Sequence, residues 1–265
     1  MYKRQLQDTF LASGSRYGRV SVPVDPRIAH DTGALVAAAR RVHADVGRPN
    51  LLARIPATPA GLLALEGCLA LGISVDVDLV FSAERYAEVL GAYLAGMERA
   101  LAAGRNLQWI TATASVPVGR LDAEVNARLA ALPGPALPAV QARDTAAVAV
   151  AREMYRVREQ RLGTGWWRVL RAAGAMPPEL LWTTAEPGHI SALIGWNTAQ
   201  AASLEMLETA ALHEELRGDT LLGAHEEGRR ALDTLERLGI RMPDVTQALE
   251  TGELTRLQRA WTLRS

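Results

Sequence analysis

Short apolar runs alternate with longer segments of helical period along most of the chain, and this order leaves few folds open. Val20 to Val24, Asn50 to Ile55, Ile73 to Val80, Trp109 to Val116, Leu180 to Thr184 and Ile194 to Thr198 read as strands. Strands of a parallel sheet are covered on both faces, so they appear as continuous apolar runs and not as strict alternation. Six such runs, each followed by helical sequence, predict an α/β fold: a (β/α)8 barrel with two strand–helix units absent. No internal repeat is evident.

The punctuation between the runs agrees with that order. A helix is expected over Asp31 to Val46. Thr58 offers an N-cap oxygen with Pro59 at the first helical position, and Gly72 ends that helix where a positive φ is cheap. Ser82 caps a helix whose apolar residues Tyr86, Val89, Leu90, Tyr93, Leu94, Met97 and Leu101 recur at helical spacing up to Gly104, a stripe that reads as core. Helices follow at Leu121 to Leu132, Ala142 to Arg161 and Trp166 to Ala173, with a loop over Pro133 to Pro138, and the remaining segments read as helical. The whole of residues 1–265 is expected to be a single domain.

Charge and cysteine usage narrow the function classes. The 29 basic and 29 acidic residues cancel, and no basic run supplies the clustered cations that hold a phosphate backbone, so no nucleic-acid partner is expected. No stretch reaches the roughly 18 apolar residues of a membrane span, and the first residues lack the order of a signal peptide. Cys68 is the only cysteine, so neither an intramolecular disulfide nor a cysteine-based zinc site can form. A cytoplasmic location with no membrane partner is the expectation. Lys3 is the sole lysine of the chain. An arginine replaces a lysine well at an exposed position, but a guanidinium stays protonated and does not condense with a carbonyl.

Several motifs, in order, carry a resemblance. They are Leu51-Leu-Ala-Arg-Ile-Pro-Ala-Thr58, Gly72-Ile-Ser-Val-Asp-Val-Asp-Leu-Val-Phe-Ser82, Arg85-Tyr, Ala92-Tyr-Leu-Ala-Gly96, Ala114-Ser-Val-Pro-Val-Gly-Arg-Leu-Asp122, Leu181-Trp182, Asn197-Thr198 and Arg217-Gly-Asp-Thr220. From about Leu6 onward the chain resembles the transaldolase family, of the actinobacterial type. The resemblance implies a barrel enzyme of the pentose phosphate pathway that moves a three-carbon ketol unit between sugar phosphates and needs no cofactor. It also implies that the family's first two strand–helix units have no counterpart here. Residues Met1 to Gln5 match nothing in the family, and a chain shortened at its start is the expectation.

The same resemblance marks departures at the chemistry. In transaldolases a lysine on the strand matching Asn50 to Ile55 forms the Schiff base with the ketose donor; the matching position is Arg54. A family glutamate is matched by Pro23, and the Asn and Thr of the next strand by Asp76 and Asp78. Period two puts Asp76 and Asp78 on one face, pointing into the barrel mouth if the family register holds. Three readings of this trio stand open. Arg54 pairs with one or both aspartates; or the aspartates form an acid/base or divalent-metal site; or they face elsewhere. Ser115 and Arg120 match a family serine and arginine that hold substrate phosphate, while the second cationic contact falls near Gly188 and His189, where His189 contributes only when protonated. The simplest reading of His189 is a solvated side chain, that of Arg120 includes a plain surface charge, and that of Trp196 is core packing. His30, His43, His213 and His225 read as polar helix faces, and Asp25 as opening a turn with Pro26.

Three functions fit these residues. One is a transaldolase-like protein impaired or inactive through Arg54 and the missing strands. Another is a repurposed barrel enzyme using Asp76 and Asp78 on a phosphorylated substrate. The last is a non-catalytic sugar-phosphate binder or partner subunit.

Overall fold

Five of the six apolar runs, and the segment that follows the sixth, form one parallel sheet whose strands lie side by side in chain order. They are β1 (Val20–Pro23), β2 (Leu51–Pro56), β3 (Val75–Asp78), β4 (Ala112–Pro117), β5 (Glu179–Thr183) and β6 (Thr198–Gln200). The computed structural model describes residues 2–15, 17–133, 137–213 and 218–263. Arg217 and the middle of the Pro133 to Pro138 break lie outside the described residues, as do the side chains of Lys3 and His213. Helix α1 (Tyr2–Ala12) precedes β1. Then come α2 (Thr32–Val46), α3 (Pro59–Ala70), α4 (Ala83–Ala102), α5 (Val118–Ala130), α6 (Leu137–Gln141), α7 (Ala146–Leu162), α8 (Gly165–Ala172), α9 (His189–Ala192), α10 (Leu204–His213), α11 (His225–Arg237) and α12 (Met242–Thr262).

Local chemistry sets most of these boundaries. The side chains of Asp31, Thr58 and Ser82 accept from the backbone N–H groups of Ala34, Gly61 and Arg85, capping α2, α3 and α4. Gly72 takes φ 84° after α3, a conformation that costs a side chain dearly. The stripe on α4 is core: Tyr86, Val89, Leu90, Tyr93 and Met97 are all buried. Tyr93 also donates its hydroxyl to the Met176 carbonyl, which joins α4 to the start of β5.

Period two divides each strand between the helices and the concave face. Along β5, Leu180 and Trp182 are buried while Glu179, Leu181 and Thr183 are half-buried. β2 and β4 are covered on both faces, with burial over almost every residue. The sheet has two edge strands, β1 and β6, which among the described residues do not pair with each other. All five strand pairs are parallel, and Pro23, Arg54, Asp76 and Thr113 stand in one register row.

Several expectations need correcting. The sixth strand starts at Thr198, not Ile194: Gly195 and Thr198 exchange hydrogen bonds across a turn, and Asn197 sits at φ 54°. Of the side chains of helix α1, Phe10 is buried and Leu11 is exposed. Helix α5 begins directly after β4, three residues before Leu121, and α7 begins at Ala146 after a positive-φ turn at Asp144. The short α6 begins inside the Pro-rich break, at Leu137, and runs past it to Gln141, and His30 lies in a turn, outside any helix.

Two helices press through a glycine on the backbone at the C-terminal end of a strand. A Cβ built on Gly61 would lie 1.9 Å from the Pro56 carbonyl oxygen, and one on Gly119 would lie 2.0 Å from that of Thr184. Both contacts are backbone to backbone, so no side-chain rotation relieves them. Gly119→Ala is expected to lower unfolding stability by about 1–3 kcal/mol, measured by urea titration. Gly91→Ala, where a Cβ meets nothing within 4 Å, serves as the comparison and should be neutral or stabilising; equal effects would contradict the packing account.

Candidate functional site

Strands β1 to β4 bring a charged network into the lumen. Asp76, only 1% exposed, is its centre. Its Oδ2 accepts from Arg54 Nε at 2.7 Å and from the Ser21 hydroxyl at 2.5 Å, and its Oδ1 accepts from the Ser115 hydroxyl at 2.7 Å. Arg54 Nε also donates to Ser21 Oγ at 3.1 Å. One carboxylate thus gathers donors from the two neighbouring strands β2 and β4 and from β1 beyond β2. Asp78 stands farther out, its Oδ2 3.8 Å from Arg54 Nη1, with its Oδ1 accepting from the Leu79 N–H.

Of the three open readings, the pairing of Arg54 with the aspartates is what the geometry shows. Burial alone would lower the Arg54 pKa, but the charges of Asp76 and Asp78 reverse this and hold it above the ordinary value. Asp78 behaves oppositely. Burial pushes its carboxyl up, Arg54 draws it back, and Asp76 and, beyond it, Glu253 add to the rise.

Pro23, Arg54 and Asp78 line a cavity of about 210 Å³ with Arg256 and Trp261 of α12. Pro23 places an apolar ring in register with Arg54. Deeper in the lumen, toward the N-terminal ends of the strands, burial raises the Glu179 carboxyl despite the attraction of Arg19. The Arg19 guanidinium lies over the Phe10 ring at 5.1 Å and is itself lowered by burial.

The phosphate candidates do not meet at one point. Ser115 is buried and spends its hydroxyl on Asp76. Arg120, at the start of α5, has a half-exposed side chain with its Nε 3.6 Å from Glu253 Oε1. His189 is buried, which corrects the expectation of a solvated side chain. Its Nδ1 accepts from the Glu186 N–H, so the ring proton lies on Nε2, 2.8 Å from Asp122 Oδ2. The other Asp122 oxygen accepts from the Ala147 N–H. His189 thereby fastens the loop after β5 to α5 and α7.

Trp196 is half-exposed, not core, with its ring 4.9 Å from the guanidinium of the fully buried Arg158. Asp25 opens a turn as expected, accepting from the Arg27 N–H. Ser21 was not singled out in the sequence. Its one signal is parity, since it lies two residues before Pro23 and so on the same strand face.

The comparisons with known proteins agree on one family. A family model described as Transaldolase/Fructose-6-phosphate aldolase matches residues 4–263, and so includes Arg4 and Gln5, which the sequence reading leaves outside it. A protein named Transaldolase from Acidothermus cellulolyticus is 42% identical over 253 residues, covering 92% of this chain and 67% of that protein. The Transaldolase of a Parafrankia species is 40% identical over 264 residues, covering 97% of this chain and 71% of the relative. Transaldolase 2 of Streptomyces avermitilis is also 40% identical over 264 residues, with 70% of it covered. The family fold is a (β/α)8 barrel, and the six-stranded parallel sheet conforms to it. Among the described residues no helix is long and apolar enough to cross a membrane.

Asp78 generates a pH prediction. A carboxyl whose pKa is raised by folding binds its proton more tightly when folded. It favours the folded state at low pH, and that contribution is lost as pH climbs from the ordinary carboxyl range through the higher folded value. Asp78→Asn should therefore match the wild type in stability at low pH and exceed it increasingly through that window. Urea titrations of both proteins across pH check this; a difference that is flat or of opposite sign would contradict the assigned burial.

Proposed function

Because the chain belongs to the transaldolase family, we propose that it keeps a sugar-phosphate scaffold of that family while having given up the family's Schiff-base chemistry. The observation that carries this reading is Arg54. It stands where the resemblance puts the family lysine, with Nε 2.7 Å from a buried carboxylate. Schiff-base formation needs a neutral amine that can lose water with a ketone, and a guanidinium held above its ordinary pKa by two aspartates supplies none. Lys3, the only lysine, belongs to α1, ahead of the first strand.

The remaining departures support the same reading. At the family glutamate position Pro23 offers no carboxylate to move a proton. Asp76 and Asp78, at the positions of an amide and a hydroxyl, serve the guanidinium as counter-charges. A lysine-to-arginine change alone would leave a cation facing neutral partners; here the neighbours have changed with it. Of the other functions, a repurposed acid/base site would rest on Asp78, which lines the cavity, because both oxygens of Asp76 are occupied. In our reading residues 1–265 form one domain, and anion contact falls to Arg120.

Incubation with fructose 6-phosphate followed by borohydride reduction tests the proposal. Intact-mass spectrometry should find the chain unmodified, and no dihydroxyacetone transfer to an aldehyde acceptor should be detectable. A reduced ketose adduct located on a barrel residue would overturn the reading.

A further inference from the structure

A cavity of about 90 Å³ lies toward the N-terminal ends of the strands, lined by Arg19, Thr111, Thr113 and Glu179, with Gln108 and Met176 at its exposed rim. Register and sheet order bring these residues together. Glu179 is in register with Thr113, and Thr113 with Asp76. Thr111 and Thr113 share the parity of Ser115, whose hydroxyl turns into the lumen toward Asp76. Arg19 immediately precedes β1, which lies four strands from β5 in the sheet order. A cation and a carboxyl from well-separated strands therefore share one small space.

The polar groups facing this space are largely unspent. Among the described residues the Glu179 carboxyl makes no hydrogen bond or ion pair, and neither threonine hydroxyl has a partner, although Thr113 is 3% and Thr111 7% exposed. Of the Arg19 nitrogens only Nη2 bonds, to the Ser15 carbonyl at 2.9 Å, while Nη1 is buried without a partner. Burial raises the Glu179 carboxyl and lowers the Arg19 guanidinium; each charge offsets the other's shift only in part. Asp76 gives no relief, because both of its oxygens are occupied and its charge adds to the rise at Glu179. Charges held out of water without partners are costly, and buried polar groups are ordinarily satisfied. The cavity is thus built for something that bonds to both charges.

Its volume is that of about three waters. Waters would hydrate both charges and neutralise neither. A lone anion would pair with Arg19 and set a like charge against Glu179, and a lone cation would do the reverse. We infer that the cavity binds a small zwitterion of the amino-acid class, of glycine's size, with its carboxylate on Arg19, its ammonium on Glu179 and the hydroxyls of Thr111 and Thr113 completing its hydrogen bonds. The guanidinium donates and the carboxylate of Glu179 accepts, so both contacts are charge-assisted. The site does not use Arg54. An adduct trapped there by borohydride would refute the proposed function and leave this site untouched.

Calorimetry on the full chain at neutral pH tests this with glycine, sodium acetate and methylammonium chloride at equal ionic strength. Glycine should bind, and each half-molecule should bind at least about tenfold more weakly, because it forgoes one charge-assisted contact. Glu179→Gln should weaken glycine about tenfold without weakening acetate, and Arg19→Met should weaken both. The comparison among the ligands needs no variant, so a substitution that fails to fold does not decide the matter. Acetate or methylammonium bound as tightly as glycine would overturn the zwitterion in favour of a single-charge contact. Glycine binding that Glu179→Gln leaves unchanged would put the ligand elsewhere and overturn the assignment. No heat with any of them would mean that the cavity holds water alone.

Discussion

The lumen of this sheet is organised by one buried carboxylate. Asp76 is 1% exposed and accepts from Arg54, Ser21 and Ser115, so residues of β1, β2, β3 and β4 converge on two oxygen atoms. A charge taken out of water costs several kcal/mol unless it is paired and its lone pairs are satisfied. Here both conditions hold, and together they fix the relative heights of four strands. Barrels of this type usually fill the interior with branched apolar side chains, whereas these central strands meet through a polar network. The same network decides which chemistry the mouth can host, because it consumes the cation and both oxygens of Asp76.

Transaldolase-family membership and our proposal that Arg54 stands at the family's lysine position are reconciled by that pair. A family scaffold tolerates rewriting of its lumen when the substitutions compensate one another, since each is judged by the field its neighbours create. Arg54 without Asp76 would have only the more distant Asp78 to offset its desolvation, and Asp76 without Arg54 would be a buried anion with two hydroxyl donors. Asp78 shows the limit of the compensation: at 3.8 Å from the guanidinium, burial outweighs the attraction and its carboxyl is raised.

Most of the architecture was legible because apolar runs, caps and glycines are local signals. Thr58, Ser82 and Gly72 each mark a boundary through their own backbone chemistry, and strand parity put Asp76 and Asp78 on one face. Contacts between segments distant in sequence were not legible. Nothing near Arg120 announces Glu253, nothing near Ser115 says its hydroxyl turns to Asp76, and His189 looks solvated until Asp122 and the Glu186 N–H are seen around it. The sixth strand was misplaced by a turn whose cause, the Thr198 hydroxyl folding back onto Gly195, is a side-chain interaction that apolarity does not report.

The measurement that bears most directly on this account is the coupling energy between residues 54 and 76, from a double-mutant cycle of Arg54→Met and Asp76→Leu followed by urea unfolding. If the buried pair organises the lumen, each single change should cost more than the double change, with a coupling of about 1–3 kcal/mol. Strictly additive effects would mean that Arg54 and Asp76 are neighbours without being partners, and the account would fail.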